Sequence, residues 1–256
     1  MRDTLTGVTL HPLAARFGEV ADAYERGRPD YALAVPGAIA AELGVPTGAK
    51  VLDLAAGTGK LTRALLVAGF DVVAVEPQAP LRAILAGAIG AARVHDGLAE
   101  AIPLPKDSVA AVMVADGFHW FDQAAALAEI SRVLRPGGGL AILDTVPDWG
   151  EASWAHEVGT LLSGLRPEHP HFDGPPWQAA VGDAGGWRAP WDIEVTFTST
   201  ASPDRVIDHL TSMSWIAALP AGQRTERLAQ IRRIVDAGRT PATFPIRARV
   251  GLTARV

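Results

Sequence analysis

The stretch VLDLAAGTGKLT, residues 51–62, decides the fold of this chain. It joins a short apolar run with β-branched content (residues 49–55) to a segment of helical spacing (KLTRALLVAG, residues 60–69) across a turn marked by Gly57 and Gly59. Such a run bounded by glycines reads as a buried strand, and Gly69 stands where a helix C-terminus wants glycine. The pattern repeats outward. Residues 71–77 (DVVAVEP), 93–97 (RVHDG), 108–115 (SVAAVMVA) and 139–145 (GLAILDT) read as further strands. Residues 80–90 and 121–134 read as helices, the second with Ala125, Leu127, Ile130, Val133 and Leu134 on one apolar stripe. RPGGG, residues 135–139, breaks that helix before the fifth strand. Strands alternating with helices predict an α/β fold around a parallel sheet covered on both faces.

Beyond residue 146 the regular pattern stops. Prolines, glycines and tryptophans crowd residues 147–191, with a helix expected over 154–164 and irregular chain through RPEHPHFDGPPW. IEVTFTST (193–200) alternates as an edge strand does, residues 203–219 and 223–237 read as two helices, and residues 244–256 as a final strand. The first 45 residues hold too many breakers for the sheet and are expected to form a helical cap. The 256 residues suffice for one large domain with an elaborated cap. The parts expected are a cap over 1–45, a ligand-binding core over 46–146, and a substrate side over 147–190 and 201–240.

Composition excludes several classes. A net charge of −5 offers no basic field for a phosphate backbone, so no nucleic-acid partner is expected. The absence of cysteine removes disulfides, thiol nucleophiles and cysteine-held metal. No apolar run is long enough to span a bilayer, and MRDTLTGVTL has no apolar signal region. A soluble cytoplasmic protein, monomeric or homodimeric, with no membrane partner is expected.

The turn itself points to a ligand. Glycines there let backbone approach a small molecule closely. Glu76 ends the second strand, where a carboxylate can accept both hydroxyls of a ribose, beyond the carboxyl edge of the sheet. A dinucleotide needs a third glycine where this chain has Thr62, and Asp53 would oppose a pyrophosphate. A ligand with a cationic end, such as an amino acid, suits Asp53 better.

The ordered set VLDLAAGTGKLT, VEP, GLAEAIPLP (97–105) and RVLRPGG resembles the motifs of class I S-adenosylmethionine-dependent methyltransferases. YERGRPDY (24–31) and GFHWFD (117–122) are similar to the small-molecule "type 11" branch. The resemblance implies a Rossmann-like sheet of seven strands, the last antiparallel, with S-adenosylmethionine as cofactor. It implies that Asp53, Gly57 and Gly59 border the methionine part and that Glu76 holds the ribose. Pro77 and Gln78 would flank the adenosine, and Leu98 and Ala99 the adenine ring. Two positions depart from the pattern: Ala55 replaces the first glycine of the turn, and Leu98 stands where an aspartate is common.

Methyl transfer is an in-line displacement, carried largely by orientation, with a base needed only when the nucleophile must lose a proton. His119, after the fourth strand, is a candidate base, as are Tyr24 and Glu25 in the cap motif. Arg28 is a candidate partner for a carboxylate, and Asp116 a cofactor neighbour. Tyr31, Trp120, Trp149, Trp177 and Trp215 are candidates for a planar pocket. HPHFD, residues 169–173, lacks the ligand spacing of a helix or hairpin, so no metal is expected. The activity expected is methylation of a small, planar acceptor such as an indole, at carbon, in secondary metabolism. The alternatives are O-methylation of a small carboxylic acid or phenol, a sensor that binds the cofactor without turnover, and a nicotinamide oxidoreductase.

Overall fold

A computed structural model of the chain describes residues 10–165 and 167–256. Residues 1–9, and with them most of the segment on which the signal-region reading rests, lie outside the described residues, as does Arg166. The first part holds a 3-10 segment, Ala14–Val20, then α1 (Ala21–Gly27) and α2 (Ala34–Leu43). Five parallel strands follow with their crossovers: β1 (Lys50–Leu54), α3 (Lys60–Val67), β2 (Asp71–Val75), α4 (Ala79–Ile89), β3 (Val94–His95), β4 (Val109–Ala115), α5 (Gln123–Val133) and β5 (Leu134–Pro147). The remainder is α6 (Ala155–Leu165), α7 (Pro170–Asp173), α8 (Trp177–Ala184), β6 (Trp191–Thr200), α9 (Pro203–Thr211), α10 (Ser214–Ala217), α11 (Ala221–Ala237) and β7 (Thr243–Ala254).

The sheet has seven strands in the order β3-β2-β1-β4-β5-β7-β6, and β7 runs antiparallel to both its neighbours. The order reverses beside β1, so the carboxyl ends of β1 and β4 open a crevice at the switch point. Burial on both faces explains the unbroken apolar runs. Val51 faces α2 and α3 with Val35, Ile39, Leu61 and Leu65, whereas Leu52 and Leu54 face α5 with Leu127 and Ile130. A third core of Trp154, Val158, Val206, Leu210, Ile231, Val235 and Phe244 joins α6, α9 and α11 to β7.

Three segments differ from the sequence reading, the first being α7, a short helix within the stretch expected to be irregular. RPGGG does not separate α5 from β5: the strand begins at Leu134, and the glycines bulge out of the ladder, with Val109 paired to Leu134 and Ala111 to Gly139. Gly137 takes the left-handed φ of +76° that such a bulge requires. The helix expected over 203–219 is two, α9 and α10. It breaks where the Ser212 hydroxyl donates to the His209 carbonyl at 2.7 Å and accepts from Arg28 Nε at 3.0 Å. That second bond ties the cap to α9. Bidentate pairing of Arg26 with Asp208 at 2.8 and 2.9 Å adds to it.

Candidate functional site

The turn after β1 is built on three departures from right-handed backbone at alternate positions: Ala55 and Gly57 both have φ of +57°, and Gly59 has +89°. Ala55 tolerates a conformation that costs a non-glycine residue about 1–2 kcal/mol. Its methyl lies over Gly117, where a side chain would come within 3.3 Å of it. The turn folds back onto β2 through Glu76, whose carboxylate accepts from the N–H of Gly57 and of Gln78, each at 2.9 Å. Burial pushes the Glu76 carboxyl up to about 7 despite those donors. Asp53 is buried too, and accepts from the Thr62 hydroxyl at 2.5 Å. Its other oxygen, Oδ1, has no partner among the described residues, and burial raises its carboxyl to about 7. Thr62 therefore holds Asp53, at the position where a dinucleotide turn would have glycine.

A cavity of about 360 Å³ opens above this turn. One end is walled by Ala55, Gly57, Glu76, Pro77, Gln78, Leu98 and Ala99, the other by His119, Trp120, His169, His171, Met213 and Trp215. Tyr24, Arg28 and Asp116 lie among the lining residues as well. Asp53 sits in an adjoining recess of about 20 Å³ that shares Tyr24, Arg28, Ala55 and Asp116 with the main cavity and also holds Tyr31. Asp116 staples β4 to β5, accepting from the Thr145 N–H at 2.8 Å and hydroxyl at 2.6 Å. The Arg28 guanidinium lies 5.3 Å from the Tyr24 ring centre and has no carboxylate in salt-bridge range among the described residues. Gln78 roofs the cavity: its amide accepts from Gly18 N–H at 2.8 Å and donates to the Ala14 carbonyl at 3.0 Å.

Not every residue singled out in the sequence reaches this space. Gly59 is pressed on Leu85 instead. Glu25 does not line the cavity; its Oε1 pairs with Arg63 at 3.0 Å. Trp149 packs with Trp154, Phe244 and His209 in the third core, and Trp177 lies across Gly251 of β7. Both tryptophans therefore fill cores where a pocket role was expected. Tyr24 is half-buried, and desolvation is the chief cause that pushes its phenol up to about 12. Burial pushes His119 down to about 3, which keeps the imidazole neutral. Phe17, His169, His171 and Met213 line the cavity without having been singled out for it. HPHFD drew notice only for its internal spacing, and nothing in the sequence places it beside GFHWFD.

A buried carboxylate under a glycine turn at the switch point of the sheet is the arrangement with which Rossmann-like folds hold a nucleoside. The family described as a methyltransferase domain matches residues 52–142. An uncharacterized methyltransferase of Mycobacterium tuberculosis is 37% identical over 224 residues, covering 87% of this chain and 86% of the relative. A methyltransferase-like protein of Schizosaccharomyces pombe is 29% identical over 222 residues, 84% of each chain. A solved structure from Anaeromyxobacter dehalogenans shares the fold, with a TM-score of 0.59 at 24% identity over 89% of this chain and 97% of that one. The chain belongs to the class I S-adenosylmethionine-dependent methyltransferases. Among the described residues no helix is long and apolar enough to cross a membrane.

Proposed function

We propose that the chain transfers a methyl group from S-adenosylmethionine to a small planar acceptor. The observation that carries this reading is the continuity of one cavity from the Glu76 carboxylate to the His119–Trp120–Trp215 chamber. The cofactor would supply a methyl activated by a sulfonium. The residues present fit it. Glu76 keeps acceptor capacity toward a ribose diol, and the unpartnered Oδ1 of Asp53 suits a cationic group. Pro77, Gln78, Leu98 and Ala99 offer an apolar slot for a flat base. Arg28 is placed for a carboxylate, and Tyr24 packs beside it. The rings of Trp120, His119, His169 and His171, with centroids 4.7–6.5 Å apart, make a chamber that favours a planar guest such as an indole.

A second reading, O-methylation of a small carboxylic acid, is favoured by Tyr24, whose phenol is too weakly acidic to ionise and serve as a base. A carboxylate is already a nucleophile and needs none. Release of S-adenosylhomocysteine across indoles, phenols and small carboxylic acids separates the two. Tight cofactor binding with no release from any of them would support a sensor instead. Glu76→Ala removes an acceptor of charged hydrogen bonds worth roughly 1.5–3 kcal/mol each. Calorimetry should show affinity for S-adenosylmethionine falling about 10- to 100-fold; an unchanged affinity overturns the ribose assignment.

A further inference from the structure

Beside the acceptor end of the cavity, three side chains that the sequence holds far apart come together. His119 stands on the 3-10 turn Phe118–Trp120 after β4, Asp144 near the end of β5, and His171 on α7. One donor atom from each lies within 4.8 Å of the other two. His171 Nδ1 is 3.6 Å from Asp144 Oδ1, and the His119 and His171 rings meet edge-on with centroids 4.8 Å apart. We propose that these three residues bind one divalent transition-metal cation of the zinc type.

The chemistry of the donors selects the class of ion. Two imidazoles and one carboxylate suit zinc, cobalt or nickel, whereas magnesium and calcium take oxygen alone. Bonds of 2.0–2.2 Å around a tetrahedral ion place donors about 3.3 Å apart. The Asp144–His171 pair is already close to that spacing, and the longest gap must shorten by about 1.5 Å. His171 is the arm able to move, because it rides at the surface on a helix of four residues. Beneath it, His169 positions α7: its Nδ1 accepts from the His171 N–H at 3.2 Å, and its Nε2 meets Ser214 Oγ at 3.1 Å. Three protein ligands leave a fourth position open. His119 and His171 both line the cavity, so an ion held by them would border the acceptor chamber. An ion there would fix an oxygen or nitrogen of the acceptor without itself taking part in bond making. The spacing within HPHFD gives no hint of this, because two of the three ligands come from other elements.

The test is independent of the methylation reaction. The full chain without an affinity tag is titrated with Co²⁺, read by visible absorption and by equilibrium dialysis, and the ion is then displaced with Zn²⁺. One Co²⁺ per chain is expected, with a visible ligand-field band that Zn²⁺ removes. His171→Ala, an exposed position whose loss leaves the core intact, should weaken binding at least about 10-fold and abolish the band. Asp144→Asn should do the same, and thermal melts confirm that both variants fold. His156→Ala, on the outer face of α6, should leave binding unchanged. Absence of the band in the wild type, or equal binding in His171→Ala, overturns the proposal.

Discussion

Gly59 meets two constraints at once. Its φ of +89° lies where side chains are strained, and a Cβ there would sit 2.5 Å from Leu85 Cδ1, a fully buried side chain of α4. Gly59→Ala therefore forces either the turn or α4 to move. The expected cost is roughly 1–3 kcal/mol from the backbone and overpacking together, read as a lower denaturation midpoint with an unchanged slope. A variant as stable as the wild type would show that α4 yields freely. Ala55 is the contrasting case. It occupies the same left-handed region, but its methyl finds room over Gly117, so a position where the family resemblance leads one to expect glycine can carry a side chain. The sequence identifies the turn through its glycines. It does not reveal which of them faces the ligand and which faces the core, because that depends on α4, twenty residues further on.

At the scale of elements, one side chain ties the roof of the site to α4. The segment Ala14–Val20 is fastened to α4 by the Gln78 amide, which makes both of its hydrogen bonds to backbone of that segment. The next helix, α1, is held more firmly: Gly27 sits so close to α9 that a Cβ would lie 2.2 Å from the His209 nitrogen. Gln78→Ala removes two bonds of about 0.5–1.5 kcal/mol each. Amide exchange of residues 14–20 should accelerate roughly 5- to 150-fold in the variant, while exchange in β1 and β4 stays as it was. S-adenosylmethionine should slow exchange in residues 14–20 and in α7 of the wild type, since both border the cavity. Equal protection of these segments and the sheet, with and without the cofactor, would show that the roof does not move with ligand.

Across the whole molecule, what was legible in the sequence follows from burial. The strands β1, β2, β4 and β5 are covered on both faces, so each appears as an apolar run ended by a turn, and the Glu76–Gly57 register is visible because both residues end such runs. The acceptor chamber is assembled from residues 17, 119–120, 169, 171 and 213–215, which no periodicity links. Trp149 and Trp177 show the limit of composition: an aromatic side chain reads the same whether it faces a cavity or a core. The buried carboxylates, in turn, couple the site to the stability of the entire fold. Burial lifts Glu76 to about 7, above the 4.5 of an exposed glutamate. Between those values the folded chain holds a proton that the unfolded chain has released. The stability linked to this proton is fully present below about 4.5 and is lost as pH rises through about 7. Glu76→Gln cannot ionise and lacks this decline. Groups that do not feel Glu76, among them the buried His209 whose pKa is lowered by desolvation, act alike in both proteins and cancel in the comparison. Asp53, whose carboxyl the Glu76 charge helps to raise, loses less stability with rising pH in the variant and adds to the same trend. The difference in Tm between Glu76→Gln and wild type, measured without cofactor, should therefore grow more positive from pH 5 to pH 8. A difference that stays flat across that interval would mean that Glu76 ionises as freely in the folded chain as in the unfolded one. The carboxylate would then be far more solvated than its place beneath the turn allows.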